Sequence, residues 1–248
     1  MHTNPVQSFV HETWLPPNGL ALIEGGTARR VYRCCKRAID AVVSVVLLVF
    51  LSPIMLIVAI LIKIDSPGPI LFVQQRVGCQ PHYKDGRVAF ALQSFRFYKF
   101  RSMMANVEDT LHQTCVRDFV NGSKEVFASR GTFKLRGDPR VTRVGRWLRK
   151  TSIDELPQLL NVLKGEMSLV GPRPVPPYEV ALYQQTHLAR LGALPGITGL
   201  WQVNGRCELS FDEMVRLDRE YIRQASLWLD LQIMLLTIPA VIAGRGAE

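Results

Sequence analysis

The chain has 248 residues, 30 Lys and Arg against 21 Asp and Glu, a formal charge of +9 and 48% hydrophobic residues. That apolar content excludes a mainly disordered chain, and 18 Gly and 15 Pro without a period exclude a collagen-like or low-complexity one. A positive mean hydropathy (+0.10) together with a pI near 9.6 is unusual, and points to an anionic membrane surface, anionic substrates, or both. Length alone allows one domain or two small ones.

In chain order, Met1 to about Thr27 has scattered Pro, Gly and Asn and no sustained periodicity, and reads as a tail. It lacks the basic start, apolar stretch and small-residue cleavage site of a secretory signal. Ala41 to Ile62 follows, 22 residues without a charge, long enough to cross a hydrocarbon core as a helix. Ser52-Pro53 interrupts its middle, where proline removes a backbone hydrogen bond and bends a helix. Basic residues flank both ends, Arg29, Arg30, Arg33, Lys36 and Arg37 before it and Lys63 and Arg76 after it. A spanning helix would concentrate them on one side. Symmetric flanks fit a helix that enters, breaks and returns to the same face, with the Ser52 hydroxyl satisfying a carbonyl that Pro53 frees. On these residues alone a kinked spanning helix fits equally well.

Asp65-Ser-Pro-Gly-Pro69 punctuates the chain; Ile70 to Gln75 reads as a short strand and Val88 to Phe100 as a second. Phe95 to Met103 interleaves aromatics with cations, as both nucleic-acid modules and membrane-interface segments do. Residues 105 to 129 look helical and exposed. Arg130 to Lys150 holds eight basic residues and one acid, Asp138, with Arg140, Arg143, Arg146 and Arg149 recurring every three positions. Missing counter-charges favour an anion-facing surface over a merely solvated one. Thr151 to Lys164 reads as a helix, with Ser152 and Glu155 as a capping box and Gly165 as its stop. Ser168 to Pro174 is a rigid turn, and Pro195 to Arg206 a glycine-rich loop. Ser210-x-x-Glu213 opens another capped helix, with Met214, Leu217 and Tyr221 on its apolar face. Leu231 to Ala243, 13 uncharged residues headed by Trp228, is too short to span and suits either an interfacial helix or a buried one.

Five cysteines, Cys34, Cys35, Cys79, Cys115 and Cys207, form no C-x-x-C pair, which argues against a disulfide framework or a zinc site and fits reduced thiols facing the cytoplasm. No P-loop, D-x-D, H-E-x-x-H or G-x-S-x-G is present, and the five histidines have no ligand spacing. The candidate chemistry lies at Asp154-Glu155. Acids in a first helical turn usually serve only the macrodipole. Here Arg149 and Lys150 lie just upstream, and Arg173 is fixed between Pro172 and Pro174. Carboxylates able to hold Mg²⁺ beside guanidinium groups able to grip phosphate suggest phosphoryl transfer by positioning and charge stabilisation. The competing class is a non-catalytic membrane-surface module that binds anionic lipid or nucleic acid through Arg130 to Lys150, which would not require the Asp154-Glu155 pair.

Lys36-Arg37-Ala-Ile-Asp40, the apolar run with Ser52-Pro53, and Tyr98-Lys-Phe-Arg-Ser-Met103 resemble the bacterial sugar transferase family. So do Thr151-Ser-Ile-Asp-Glu-Leu-Pro-Gln158, Asn161 to Pro174, and Pro195-Gly-Ile-Thr-Gly199. These are the monotopic phosphoglycosyl transferases that start exopolysaccharide, O-antigen and glycoprotein glycan assembly. The resemblance runs in order from about Arg33 to Gly246.

It implies an α+β, mostly helical fold, with a re-entrant membrane helix hairpin at about residues 38–64, interfacial amphipathic helices and a small β element. Residues 1–32 would be an N-terminal tail and 33–248 one catalytic domain, facing the cytoplasm at the bacterial inner membrane. The implied reaction moves a sugar 1-phosphate from a UDP-sugar to undecaprenyl phosphate and releases UMP. Asp154 would be the nucleophile and form a covalent phosphosugar intermediate. Glu155 would hold Mg²⁺. Lys99, Arg101, Arg149 and Arg173 would contact phosphates or the nucleotide, and Ser52 and Pro53 would break the hairpin. The implied partners are the UDP-sugar, undecaprenyl phosphate and the bilayer, with no nucleic acid and with room for a homodimer. Two departures stand out. Leu194 occupies a position that is often basic in the family, and larger members carry an N-terminal membrane bundle where this chain has a short tail. Wording around Lys99, Thr151 and Arg245-Gly-Ala247 is similar to hexose 1-phosphate transferases, which makes glucose or galactose the expected sugar.

Overall fold

The computed structural model describes residues 27–84, 87–105, 110–122, 138–205 and 209–242. Most of the expected tail, and Arg130, Lys134 and Arg136 of the basic run, lie outside the described residues.

The fold is mostly helical, with two small sheets. The apolar run lies within helix α1, Thr27–Asp65. Pro53 sits inside it, and the Ser52 hydroxyl donates to the Val49 carbonyl at 2.8 Å, the acceptor that Pro53 leaves without an amide. The middle of α1 is bare, with Val49 66% and Phe50 77% exposed. Both ends are docked. Near the start, Arg37 donates to the Val162 and Leu163 carbonyls, and the Leu169 amide donates to Asp40. Near the end, Val58 and Ile62 are buried against Phe100 and Leu148. Asp65 accepts from the Val144 amide at 3.1 Å.

Strands β1 (Leu71–Lys84) and β2 (Arg87–Phe100) form an antiparallel hairpin, running in register from Leu71 opposite Phe100 to Lys84 opposite Arg87. β1 is longer than the alternation predicts, and β2 matches its expected span to within one residue. Helix α2 is Thr110–Val120. It is not simply an exposed element, because Val116 and Phe119 are buried. Helix α3 (Arg143–Thr151), a 3₁₀ turn (Ile153–Glu155) and helix α4 (Gln158–Lys164) come next. Gly165 ends α4 at φ 81°, as its position predicts.

Two segments expected to be loops contain strands. β3 (Ser168–Val170) and β4 (Gly196–Thr198) pair in parallel. Three residues give no readable alternation, and the pairing depends on close backbone approach: a Cβ on Gly196 would lie 2.1 Å from the Gly171 nitrogen. Between them lie the short helix α5 (Pro177–Val180) and a 3₁₀ segment, Leu188–Leu191. Helix α6 (Leu200–Asn204) follows β4.

Helix α7 (Phe211–Gln224) carries the expected capping box at Ser210 and Glu213, and buries Met214 and Tyr221. Helix α8 (Leu227–Ile242) satisfies both readings of its sequence. Ile233 is buried beside Phe95, Phe97 and Tyr221, whereas Trp228 is 67% exposed in line with other bare apolar residues. Asp230 is buried, accepting from Lys36 of α1 at 2.9 Å and from the Tyr221 hydroxyl at 2.7 Å. That ion pair ties the C-terminal helix to the start of α1.

Candidate active site

The expected helix over 151–164 is divided. Ser152 takes a left-handed conformation (φ 57°, ψ 17°) and closes α3, its amide donating to the Arg149 carbonyl at 3.3 Å. Its side chain makes no cap bond, so the Ser152–Glu155 capping box does not form. Pro157 supplies the physical reason. It has no amide to donate to Ile153, so the Leu156 amide takes that carbonyl at 3.2 Å as a 3₁₀ bond, and regular helix begins only at Gln158. Asp154 and Glu155 therefore lie in a tight turn between two helices rather than on the first turn of one. Asp154 is only 8% exposed.

β2 runs beside this turn and brings Lys99 to it. Burial draws the Lys99 ammonium down to about 8; the Asp154 carboxylate opposes that fall, while Arg76, Arg149 and Arg173 reinforce it. Those five charged groups consequently share one neighbourhood. Lys99 also stands over the Phe72 ring, 5.0 Å from its centroid. Arg173 lies 3.7 Å from Glu155. The Arg173 loop is held to β1 twice, by Arg76 donating to the Pro174 carbonyl at 3.2 Å and by the Val77 amide donating to Val175 at 2.8 Å.

A cleft of about 630 Å³ opens on this group, lined at one end by Arg76, Lys99, Arg101, Arg149 and Arg173. Asp154 and Glu155 do not line it directly; they lie behind its cationic end, Glu155 in contact with Arg173 and Asp154 in the neighbourhood of Lys99. Of the residues singled out in the sequence, the structure thus assembles Asp154, Glu155, Lys99, Arg149 and Arg173. Arg101 reaches the cleft as well, but both of its Nη atoms are turned to the end of α1, donating to the carbonyls of Ile62, Ser66 and Pro67 and to the Ser66 hydroxyl; its Nε meets no partner among the described residues. Arg140, also on the wall, is paired with Asp138 at 2.7 Å, which holds that carboxyl below its usual range. Ser52 and Pro53 belong to the bare middle of α1.

Arg76 was legible only as a flank of the apolar run. Its place in a β-strand with a return contact to the Pro-Arg-Pro segment is a tertiary fact. At the other end of the cleft, Arg190 is buried and held by Asp218 at 2.7 Å and by the Tyr183 hydroxyl at 3.0 Å. No local pattern around Arg190 announces that role.

Among the described residues no three His, Cys, Asp or Glu gather as a ready metal cage. Mg²⁺ needs none, since it commonly takes one or two carboxylates and completes its shell with water and substrate phosphate. Adjacent carboxylates of Asp154 and Glu155 beside a cleft lined with cations fit that donor set.

Residues 31–244 match the bacterial sugar transferase family. The exopolysaccharide production protein ExoY of Rhizobium meliloti is 40% identical over 225 residues, 90% of this chain and 92% of that protein. An undecaprenyl-phosphate glucose phosphotransferase of Komagataeibacter xylinus is 46% identical over 223 residues, 86% of this chain and 36% of that protein. An undecaprenyl-phosphate galactose phosphotransferase of Salmonella typhimurium is 39% identical over 239 residues, 96% of this chain and 46% of that protein. The chain spans less than half the length of these last two. With most of its length matched and its Asp-Glu turn, Lys99 and Arg173 gathered at one cleft, the chain belongs to the bacterial sugar transferase family.

Proposed function

We propose that this chain transfers a hexose 1-phosphate from a UDP-sugar to undecaprenyl phosphate, the first membrane step of exopolysaccharide or O-antigen assembly. The observation that carries this reading is a buried carboxylate, Asp154, in the same neighbourhood as Lys99 and a group of arginines beside a cleft. The names of relatives as glucose and galactose phosphotransferases support a hexose.

In the first half-reaction an Asp154 carboxylate oxygen attacks the sugar-bearing phosphorus of the diphosphate. The bond to the UMP oxygen breaks, and UMP leaves with that electron pair. In the second, an oxyanion of undecaprenyl phosphate attacks the same phosphorus, the acyl-phosphate bond breaks, and Asp154 is regenerated. Neither step requires a base, because both nucleophiles are already anionic. Lys99, Arg149 and Arg173 bind the phosphate oxygens and hold them in line with Asp154. The Arg173–Glu155 contact fixes both side chains at the lip of the cleft. Bound through Glu155 and Asp154, Mg²⁺ would neutralise charge on the diphosphate.

The acceptor is a lipid, so the cleft must meet a bilayer. A re-entrant α1, inserted in the cytoplasmic leaflet of the bacterial inner membrane and bent at Ser52-Pro53, serves this. The reading is supported by the docking of both ends of α1 on one body and by the bare apolar middle between them. The exposed apolar side of α8 adds an interfacial contact.

The test uses the full chain in detergent micelles. Incubation with UDP-glucose or UDP-galactose and Mg²⁺, without acceptor, should release UMP and leave a phosphohexose mass on the peptide containing Asp154. Asp154→Asn should give neither product while still partitioning to membranes. UMP turnover by that variant at the wild-type rate would overturn the assignment of the nucleophile.

A further inference from the structure

Among the described residues, strand β2 pairs with β1 alone, so its other edge presents backbone groups that a third strand would take. One side chain of α4 takes two of them. The Asn161 Oδ1 accepts from the Tyr98 amide at 3.2 Å, and its Nδ2 donates to the Arg96 carbonyl at 2.6 Å. A C=O and an N–H two residues apart on one edge are the pair that a neighbouring strand engages, so the side-chain amide stands in for a backbone one. The second Nδ2 hydrogen goes to the Glu166 carboxylate at 2.6 Å, which fixes the orientation of the amide. Asn161 is 0% exposed.

This side chain joins the two halves of the candidate site. Only Leu156 and Pro157 separate α4 from the Asp154-Glu155 turn, and Lys99 directly follows Tyr98. The ladder to β1 places Lys99 opposite Phe72, but it fixes the hairpin internally and not against the turn. Apolar contact of Phe97 with Leu159 and Val162 holds helix to strand, yet such packing is non-directional and does not set a position along the strand. Hydrogen bonds do.

We infer that Asn161 is the positioning residue for Lys99: its amide sets where the lysine stands against the Asp154 turn, and so whether the ammonium meets the phosphates. The inference rests on the reading of the chain as a phosphoryl-transfer enzyme and adds a residue that touches no substrate. Without the amide, two buried backbone groups lose their partners, and the strand edge shifts to regain them from water. A displacement of about 1 Å in a group that holds phosphate is costly.

A double-mutant cycle tests this, with inorganic pyrophosphate binding to the full chain in detergent micelles followed by calorimetry. Lys99→Met should weaken pyrophosphate about tenfold or more, the worth of a charge-assisted hydrogen bond. Asn161→Ala should weaken it about three- to tenfold. The double variant should bind no more than about twofold worse than Lys99→Met alone, because a residue that acts through another has nothing further to lose. Val162→Ala, next along α4 and fully buried, should lower the melting temperature and keep affinity within about twofold of wild type. An unchanged affinity in Asn161→Ala overturns the role, as do losses that multiply in the double variant or a Val162→Ala loss as large as that of Asn161→Ala. A second measurement needs no substitution, so misfolding of Asn161→Ala leaves the proposal open to refutation. Coupling is reciprocal, and a phosphate held by Lys99 must steady the clamp in turn. Saturating pyrophosphate should slow hydrogen–deuterium exchange at the wild-type Tyr98 amide about threefold or more, with the α8 amides unaffected. A Tyr98 rate that does not respond, or responds no more than those of α8, overturns the role. The two readings fail separately. Multiplying losses with UMP release from UDP-sugar intact reject Asn161 and keep the transferase, whereas non-additive losses without UMP release from any UDP-sugar do the reverse.

Discussion

Arg101 donates to the Ser66 carbonyl at 2.7 Å and to the Ser66 hydroxyl at 3.0 Å, which fastens the C-terminal end of α1 to the strand that carries Lys99. A cation at a helix C-terminus, bonded to its last carbonyls, satisfies orphan acceptors and complements the dipole. The resemblance to known transferases implies that Arg101 contacts phosphate or the nucleotide; its hydrogen bonds suit a brace. Arg101→Met should therefore lower stability by about 3 kcal/mol through lost charge-assisted bonds, read as a fall in melting temperature in detergent, while UMP affinity stays at the wild-type value. Unchanged melting with lost UMP binding would instead make Arg101 a phosphate contact.

The Lys99 ammonium, drawn down to about 8, sets a pH dependence. In the proposed reaction the protonated form grips phosphate, and it is lost as pH rises through 8. For UMP release from UDP-sugar, kcat/KM should fall above about pH 8, because that parameter reports the free protein's ionisations. Bound diphosphate raises the same pKa, so the limb in kcat should lie higher. A kcat/KM profile that is flat across this range would exclude Lys99 as the phosphate-binding cation.

Ser152 is the sole non-glycine residue at positive φ among the described residues. Its side chain makes no cap bond, so Ser152→Gly removes left-handed strain and forfeits nothing. The variant should be more stable by about 1 kcal/mol, measured by denaturant unfolding in micelles. A loss of that size would mean that the serine hydroxyl caps the turn after all.

Cys34 and Cys35 are exposed at the start of α1, and Lys63 lies near its end. If α1 re-enters, a membrane-impermeant maleimide should label the native pair and a Lys63→Cys variant only in inside-out vesicles. Labelling of the two ends from opposite sides of the membrane would establish a spanning helix.

Local signals were read well from sequence and distant ones were not. Helix α7 was legible because its capping box, periodic apolar face and charged first turn all lie within fourteen residues. Ser152 and Glu155 have the same spacing as Ser210 and Glu213, yet only the second pair caps a helix. The deciding residue, Pro157, lies two positions beyond the motif. Strands β3 and β4 carried no readable pattern, because their pairing depends on Gly171 and Gly196 meeting across the fold. Asp154, Glu155, Arg149 and Arg173 were singled out by local charge and proline context, and Lys99 only by the resemblance to the family. Arg76 and Arg190 lie in segments that look ordinary until the chain folds, and only their shared cleft gives them a role.

Leu156, two residues from Asp154, packs against the cluster that holds Val43 and Leu48 and also against the one that holds Val58 and Ile62. The Asp154 turn thus rests on two clusters, one of which contains Val58 and Ile62 of α1 while the other is packed by Val43 and Leu48 of the same helix. Under the proposed re-entrant arrangement, any change in how deeply that helix sits in lipid would bear on the backbone that carries Asp154. A fragment beginning after residue 65 would keep every charged group that lines the cleft and lose the α1 side chains that pack beneath the Asp154 turn.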